Sequence, residues 1–448
     1  MQEVEVPQSD YGNSRPFDVH RWSEYPEVKA AVTQVAEEIA KAKGKGLTRK
    51  QKTHLRVVIL DLYANYLTDP EKFIGYSRDR SKYSAPSRYN KLHIKYDPLM
   101  PVIDGLFELG YVEGKKGYSD RRTGIGRQAR MRATEKLVDL IQNRHKVTPE
   151  MIERAEDEET IILRDSAGKY LDYAETTETE RMRENLTEYN LFLAKTSISL
   201  ALRQEDMPRI DLTRKRLHRV FNNSSFEQGG RFFGGWWQEM PKGLRKQILI
   251  NGKPTIEVDY SGLHIKLLYL KEGIDYRDDP YQFAGQDLRG LLKLSILIAL
   301  NADDRKSALL AIRAEARKDQ ELAASLNLVE KERDGLAKLL DEFLAHHLPI
   351  SQYLFTGIGI SLQNLDSKIA EKVLMTLTRD GIVVLPVHDS FITISAHREK
   401  LVRAMNIAFQ YFTKGYMPQM KEKEPMLDGF IDIYMDKNGK ADYLYRLG

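Results

Sequence analysis

Apolar and polar residues recur with different periods along the chain, and these periods predict its elements. The stretch QKTHLRVVILDLYANYL, which starts at Gln51, has the apolar spacing of an amphipathic helix. The segment from Tyr96 to Ile141 predicts a helix, a strand, a basic loop with glycines, a strand and a helix. Residues 161–175 predict a hairpin, and residues 179–202 predict a long amphipathic helix.

Two predicted hairpins in the C-terminal half each carry an aspartate where an apolar strand ends. ILINGKPTIEVDYSG predicts a hairpin whose second strand, Thr255 to Tyr260, has Asp259 at its end and leads into an apolar helix. GIVVLPV and SFITISA predict two strands joined at His388 and Asp389. A hairpin turn can hold an aspartate for backbone hydrogen bonds alone. Each carboxylate therefore has a structural interpretation as well as a functional one.

The composition is that of a globular protein with enough apolar residues for two or three cores. The 448 residues include 69 Lys and Arg, 65 Asp and Glu and no cysteine. The lack of cysteine excludes disulfides and thiolate metal sites, and the histidines show no zinc-ligand spacing. No apolar run is long enough to cross a membrane, and the polar N-terminus lacks the order of a signal peptide. We therefore expect a cytoplasmic protein with no membrane partner.

Charge is unevenly distributed along the chain, and its reversal predicts a domain boundary. Between residues 41 and 140, Lys and Arg exceed Asp and Glu by roughly eleven, whereas residues 147–190 carry an acidic excess of roughly eight. The boundary is expected near residue 146. Residues 1–45 hold few apolar positions and end in KAKGKG, which predicts an arm or linker with some helix around Tyr25 to Lys41.

A basic hairpin follows the helix predicted from Pro98 to Leu109. Its cations, which we expect to bind DNA phosphates, are Lys115, Lys116, Arg121, Arg122, Arg127 and Arg130. The order of elements resembles a winged helix-turn-helix. In that family the helix before the wing lies in the major groove of DNA, and the wing, here Lys115 to Arg127, binds the DNA phosphates. A solvated basic hairpin, or a winged helix that contacts protein, is the alternative.

Asp259 and Asp389, at the tips of neighbouring strands, suit a site for two divalent cations. Mg²⁺ takes oxygen ligands and keeps open positions for phosphate and water. DYSGLH and VHDSF resemble motifs A and C of the palm shared by family A DNA polymerases and the single-subunit RNA polymerases of phages and mitochondria. The resemblance implies that both aspartates are catalytic and bridge two Mg²⁺ ions, which Mn²⁺ can replace. It also implies that the backbone carbonyl of Tyr260 is a further ligand.

The same resemblance expects a basic helix between the two motifs. DLRGLLKLSILIALNADD supplies Arg289 and Lys293 four residues apart, so one helix face carries both cations toward one triphosphate. Lys293 also matches the lysine credited with protonating the leaving pyrophosphate. Where the motif has Tyr followed by Gly, this chain has Asn301 and Ala302, and an Asn can hydrogen-bond a ribose hydroxyl. A buried helix whose Arg and Lys extend to the surface is the structural alternative.

Residues that match primer-template contacts flank these motifs. GGRFFGGWWQEMP resembles the segment before motif A, and Arg231 matches its primer-template arginine. By the same resemblance His388, Tyr281 and Gln363 contact the primer-template, while His264 binds the nucleotide. DNA polymerases of the family have a Glu at the position of His264 that blocks a 2′-hydroxyl. His264 therefore favours RNA synthesis.

The resemblance covers roughly residues 215–435 and implies an α+β fold. This fold is a helix-rich right-hand polymerase with an antiparallel β palm, joined to an N-terminal winged helix-turn-helix domain. The expected domains are an arm at 1–45, a basic DNA-binding domain at 46–146, a thumb-like region at 147–215 and a palm at 216–448. Reduced fingers are expected within the palm at about 280–350, where residues 303–347 predict paired helices.

The implied activity is template-directed nucleotidyl transfer on DNA. We expect a compact DNA-dependent RNA polymerase or primase-like enzyme, with a DNA template and nucleoside triphosphates as partners and with room for a partner subunit. One alternative is a small DNA polymerase for plasmid or phage replication. Another is a winged-helix DNA-binding regulator with an inactive palm.

Overall fold

A computed structural model of the chain describes residues 13–115, 117–119, 126–155, 158–202 and 206–423, with the backbone alone at 118, 119, 126, 127 and 286. These ranges form an α+β fold, as the sequence predicts. Within them, no helix combines the length and the apolar character that crossing a bilayer requires.

The helices within the described ranges are α1 Pro26–Lys43, α2 Arg49–Thr68, α3 Tyr96–Glu108, α4 Glu135–Val138, α5 Thr177–Ala194, α6 Leu263–Lys271, α7 Gly285–Asn301, α8 Arg305–Ala316, α9 Gln320–Val329, α10 Gly335–His346, α11 Gly359–Arg379 and α12 Arg398–Phe412. The strands are β1 Ser14–Pro16, β2 Arg21–Trp22, β3 Phe73–Tyr76, β4 Val112–Lys115, β5 Tyr118–Ser119, β6 Gly126–Arg127, β7 Ala129–Ala133, β8 Glu153–Arg154, β9 Ile161–Leu163, β10 Ile198–Leu200, β11 His218–Asn222, β12 Ser225–Phe233, β13 Ile248–Ile250, β14 Lys253–Tyr260, β15 Val384–Val387, β16 Ser390–Ile394 and β17 Met420–Lys423.

Three larger sheets organise these elements. One sheet has the order β1-β3-β7-β4, and another has the order β12-β11-β9. The third and largest has the order β10-β13-β14-β16-β15, with β17 also paired to β14. Because β13, β16 and β17 all pair antiparallel with β14, this strand lies at the centre of the largest sheet.

The turn between β13 and β14 follows from its sequence and sets the register of the central strand. Asn251 and Gly252 have φ angles of 51° and 70°, the left-handed values that a type I′ hairpin turn requires. The turn type fixes the pairing of the flanking strands, here Ile250 with Lys253.

The buried apolar residues form two separate cores. The first extends from Val28 to Ile152, and the second extends from Ile161 to Phe409. The change of core therefore falls between Ile152 and Ile161, a few residues after the boundary that the charge reversal predicts.

The first core contains a helix that the sequence analysis assigns to an arm. Val28, Val32, Val35 and Ile39 of α1 are buried, and their spacing puts them on one face of the helix. The prediction of an arm over 1–45 is therefore wrong for residues 26–43. The average apolar content of residues 1–45 is low and does not detect the narrow apolar stripe on α1. That stripe is sufficient for the helix to pack into a core.

Two predicted helical regions also differ from the structure. α5 ends at Ala194, and Ile198–Leu200 form β10, which pairs with β13. The prediction of one helix over residues 179–202 therefore extends too far, because the alternating segment after Ala194 pairs with the edge of β13 as a strand. The paired helices predicted over 303–347 are three helices, α8, α9 and α10.

Arg88 joins the first core to the segment that leads into α5. Its guanidinium donates to Glu159 at 3.1 Å and to Asp172 at 2.9 Å. It also donates to the Tyr173 carbonyl at 2.8 Å and lies 3.8 Å from the Tyr173 ring centroid. One arginine therefore links the two cores through charge, hydrogen bonds and a cation–π contact.

Candidate active site

Strand pairing brings Asp259 and Asp389 to the same end of the central sheet. Asp259 is the penultimate residue of β14 and pairs in register with Ser390, the first residue of β16. The Tyr260 N–H donates to the Asp389 carbonyl at 3.2 Å. The two aspartates that the sequence singles out are therefore neighbours on adjacent strands.

His388 and Asp389 form the turn between β15 and β16. His388 has a φ angle of 58°, which is uncommon for a residue with a side chain. Its ring centroid lies 6.4 Å from that of Phe233, in an edge-on arrangement. The turn leaves His388 exposed and Asp389 half-buried, so that His388 faces the end of β12.

Neither aspartate forms a side-chain ion pair within the described ranges, although the charge of Arg231 acts weakly on Asp389. Burial, followed by the charge of Asp366, raises the pKa of Asp389 to about 6. The Oδ1 atom of Asp259 is buried and accepts no hydrogen bond from the described part of the chain. Carboxylates in such surroundings often mark functional sites, and a divalent cation would supply the missing charge.

The donor set fits a cation that takes its other ligands from substrate and water. Mg²⁺ is commonly held by one or two carboxylates together with substrate phosphates. Tyr260 offers only its main chain, because its buried hydroxyl donates to the Met405 carbonyl at 2.7 Å. Across the described ranges, no group of three or more acidic, histidine or cysteine side chains has the arrangement of a metal centre.

A β-bulge positions Arg231 near the aspartates. Gly229 and Gly230 have φ angles of 75° and 85°, and the register of β11 and β12 shifts beside them. Arg231 donates to Asp366 from Nε at 2.9 Å and from Nη2 at 2.7 Å. The same Nη2 lies 3.3 Å from Nε2 of His264, in the first turn of α6. The structure therefore brings the predicted residues Arg231 and His264 together on one buried carboxylate.

One face of α7 carries the predicted cations. Arg289, Lys293, Leu297 and Asn301 recur every four residues; Arg289 and Lys293 share this face, whereas Asn301 lies about 120° around the helix from Arg289. Lys293, Leu297 and Asn301 are exposed, and Leu297 has 51% of its surface accessible. Asn301 lies about 12 Å further along the helix than Lys293, and its Nδ2 donates to the Leu297 carbonyl at 2.7 Å. It is thus displaced from the two cations.

The Tyr281 ring contacts the α7 cations and is influenced by the charge of Asp389. Its ring centroid is 5.6 Å from the Arg289 guanidinium carbon and 5.6 Å from the Lys293 ammonium. Burial, followed by the charges of Asp279 and Asp389, raises the pKa of Tyr281 to about 12. Arg289 also pairs with Asp279 at 2.5 Å. The charge of Asp389 and the two α7 cations therefore act on the same aromatic ring.

His347 anchors the segment before α7 that carries Tyr281. Its Nε2 lies 2.9 Å from the Pro280 carbonyl, and its Nδ1 lies 2.7 Å from the Tyr269 hydroxyl. A carbonyl only accepts, so Nε2 carries the proton and Nδ1 accepts from Tyr269. Burial lowers the pKa of His347, which favours this neutral form.

β17 contributes residues that the sequence analysis did not identify. Lys421 pairs in register with Asp259, and Lys423 pairs in register with Glu257. The Lys423 ammonium donates to the buried Glu257 carboxylate. The alternation in MKEK is typical of a strand, but the partner strand is about 160 residues away and is not deducible from local pattern.

The remaining predicted residues lie elsewhere. Gln363 is half-buried in the first turns of α11, one turn before Asp366. Lys115, at the end of β4, has its ammonium 5.7 Å from the Phe73 ring centroid. Arg130 is only 5% exposed and packs over the same ring. The expected phosphate contact of Arg130 is therefore wrong, because sheet packing covers its side chain.

Lys116, Arg121 and Arg122, together with the side chain of Arg127, lie outside the described residues.

Comparison with known proteins finds similarity among solved structures only. No protein-family model matches the chain, and no curated protein sequence matches it. Among solved structures, the chain is similar to the POL domain of Pol1 from M. smegmatis in complex with DNA primer-template and dNTP, with a TM-score of 0.27 and 10% sequence identity. The similarity covers 90% of this chain and 66% of that chain, so this chain spans slightly less than two thirds of its length.

Proposed function

We propose that the chain is a template-directed nucleotidyltransferase acting on DNA. Within this class, we propose a compact DNA-dependent RNA polymerase or primase-like enzyme in which the residues around β14, β16 and α7 form the palm and fingers. One observation carries the proposal: Asp259 and Asp389 meet at one end of the central sheet, and the charge of Asp389 acts on Tyr281, whose ring contacts Arg289 and Lys293.

Asp259 and Asp389 would hold two Mg²⁺ ions, with the Tyr260 carbonyl as a further ligand. When bound, these ions activate the attacking 3′-hydroxyl and neutralise charge on the phosphates. The unpaired Oδ1 of Asp259 and the raised pKa of Asp389 support this assignment.

Arg289 and Lys293 would bind the triphosphate. The 3′-hydroxyl oxygen bonds to the α-phosphorus, the bond to the β-phosphate breaks, and pyrophosphate leaves. Burial, followed by the charges of Arg289 and Lys421, lowers the pKa of Lys293. A lysine with a lowered pKa gives up its proton more readily, which supports proton donation by Lys293 to the departing pyrophosphate.

His264 supports ribonucleotide use. It lies five residues after Asp259 and contacts Arg231. At this position the DNA polymerases that the chain resembles carry a Glu that excludes a 2′-hydroxyl. A small DNA polymerase is the second candidate. Asn301 lies far from Lys293 on α7, so its position does not support a contact with the ribose 2′-hydroxyl.

The test is extension of a labelled primer on a DNA template with Mg²⁺. Ribonucleotides and deoxyribonucleotides are supplied separately, with an unprimed control and the Asp259→Ala protein. We expect ribonucleotide products that disappear in Asp259→Ala. Deoxyribonucleotide products alone would support the second candidate. No product under any condition would contradict both and would favour a DNA-binding regulator or an enzyme that needs a partner subunit.

The N-terminal unit is proposed to bind duplex DNA as a winged helix, with its wing over Lys115 to Arg127. We expect the double substitution Arg121→Ala with Arg122→Ala to weaken DNA binding and to reduce its dependence on salt, since fewer counterions are released. Single-nucleotide addition on a preformed primer-template should be unchanged. Binding isotherms at several salt concentrations test this, and equal slopes for the variant and the wild type would count against the wing.

A further inference from the structure

We propose that Lys421, on β17, is a third cationic contact for the nucleoside triphosphate. It would add to Arg289 and Lys293 and make β17 part of the nucleotide site. This inference rests on the proposed function, because it assigns a further residue to the same site. Four observations support it.

The first observation is the face of the sheet on which Lys421 lies. Lys421 pairs with Asp259 and Lys423 pairs with Glu257 across the same two strands. The Lys423 ammonium reaches Glu257, so these two side chains share a face. Side chains two residues apart in a strand point the same way. Lys421 therefore points to the face that carries the Asp259 carboxylate.

The second observation is an electrostatic interaction with the α7 side of the site. Burial, then Arg289 and then Lys421 lower the pKa of Lys293. At Asp279, the hydrogen bonds from Arg289 and from the Tyr281 N–H, together with the charges of Arg289 and, last, Lys421, outweigh burial and lower the pKa. The charge of Lys421, on the strand that flanks Asp259, therefore acts on the α7 side of the site.

The third observation is that Lys421 is exposed and makes no hydrogen bond or ion pair with any described residue. Its neighbour Lys423 is instead held by Glu257. Lys423 therefore serves to dock β17, while the ammonium of Lys421 is available to a ligand.

The fourth observation is the combination of charges around Lys421. Asp259 keeps an oxygen without a partner although Lys421 lies in register beside it. Lys421, beside Asp259, acts electrostatically on Lys293, which lies with Arg289 on α7. A triphosphate whose α-phosphate lies at the aspartates would pass along these cations, and flexible ammonium groups suit phosphate oxygens.

The test measures nucleotide binding directly, by calorimetric titration of the whole protein with ATP, dATP and AMP in Mg²⁺. The variant is Lys421→Gln, and the matched control is Lys400→Gln, an exposed lysine on α12 at the opposite end of β16 from Asp389. We expect Lys421→Gln to weaken triphosphate binding about fivefold and to leave AMP binding unchanged. Lys400→Gln should bind like the wild type.

Triphosphate affinity of Lys421→Gln equal to that of the wild type would overturn the inference, and so would an equal loss for ATP and AMP. If Lys421→Gln loses triphosphate binding while the wild type extends no primer, the role of Lys421 is upheld and the polymerase function is rejected. Absence of triphosphate binding by the wild type would reject both. Circular dichroism and thermal melting confirm that the variants are folded.

Discussion

Asp366 and Asp389 are neighbouring carboxylates whose pKa values are shifted in opposite directions. Burial by itself acts to raise the pKa of both carboxylates. At Asp366, the hydrogen bond with His264 and the charge of Arg231 overcome burial and lower the pKa. At Asp389, the backbone hydrogen bond and the charge of Arg231 lower the pKa less than burial and the charge of Asp366 raise it. One carboxylate is therefore held ionised by the protein, whereas the other is left for a ligand to neutralise.

We expect Asp389→Asn to abolish nucleotide incorporation and to leave duplex DNA binding intact, because the variant removes a charge that the fold does not need for an ion pair. The loss should exceed about a thousandfold. Primer extension and DNA binding are measured in parallel, with Asp380→Asn as the control at an exposed position. Normal incorporation by Asp389→Asn would reject the two-metal assignment.

Glu371 is the acceptor of a buried ionic network between α11, α5 and β11. Arg219, which is 1% exposed, donates to it at 2.9 Å. Arg181 and Asn185 of α5 donate to it at 3.0 Å and 2.7 Å. A buried arginine that loses its acceptor is costly, because its charge stays desolvated.

We expect Glu371→Leu to lower the free energy of unfolding by about 3–5 kcal/mol, since Arg219 is then buried without its counter-charge. Urea denaturation measures this change. Glu184→Leu is the control, because Glu184 is exposed on α5. A loss for Glu371→Leu no larger than that for the control would show that the network does not stabilise the protein.

At the scale of elements, the end of α10 positions the segment that leads into α7. The neutral His347 ring bridges the Tyr269 hydroxyl of α6 and the Pro280 carbonyl. Tyr276 stacks on Tyr269 at 4.3 Å between ring centroids. Tyr281, next to Pro280, is in this way held against the α7 cations.

This arrangement predicts acid sensitivity. The pKa of His347 is lower in the folded protein than its ordinary value. Its stabilisation is therefore present above about pH 6.5 and is lost as pH falls, since only the unfolded state gains the proton. We expect the urea midpoint to fall less between about pH 7.5 and about pH 5.5 in His347→Leu than in the wild type.

The control for this experiment is His346→Leu, because His346 is the exposed neighbour. Its midpoint should follow the wild-type dependence on pH. Identical pH dependence for His347→Leu and the wild type would show that His347 does not contribute to the acid sensitivity.

At the scale of the whole molecule, two cores meet through polar contacts. Arg88 bridges them, as does the buried Arg21, which donates to Thr213 at 2.8 Å. Polar interfaces between units are generally weaker than a shared apolar core. The linkage between the two cores therefore depends on a few arginines.

We expect Arg88→Ala to separate the unfolding of the two cores. Trp236 and Trp237 are fully buried in the second core, so tryptophan fluorescence mainly follows that core, whereas far-ultraviolet circular dichroism follows both. The two transitions should diverge in Arg88→Ala more than in the control Arg80→Ala, whose Arg80 pairs with Asp97 on the surface. Coincident transitions in both variants would contradict a bridging role for Arg88.

The parts of the site that lie within one element follow from sequence pattern. Arg289 and Lys293 are four residues apart and share a helix face. The Asn251 and Gly252 turn sets the β13–β14 hairpin, and an apolar run on each side of His388 and Asp389 gives β15 and β16. These relations depend on backbone geometry over a few residues, so local sequence is sufficient to predict them.

The relations between distant segments were decided by tertiary structure alone. The pairing of β17 with β14 brings Lys421 to Asp259, the packing of α11 brings Asp366 near Asp389, and the sheet covers Arg130. Burial and register arise when segments far apart in the chain pack together, and the same local pattern is compatible with several partners. The sequence by itself therefore determined the two aspartates and the helix cations, while only the folded chain determined their electrostatic surroundings and the additional lysine.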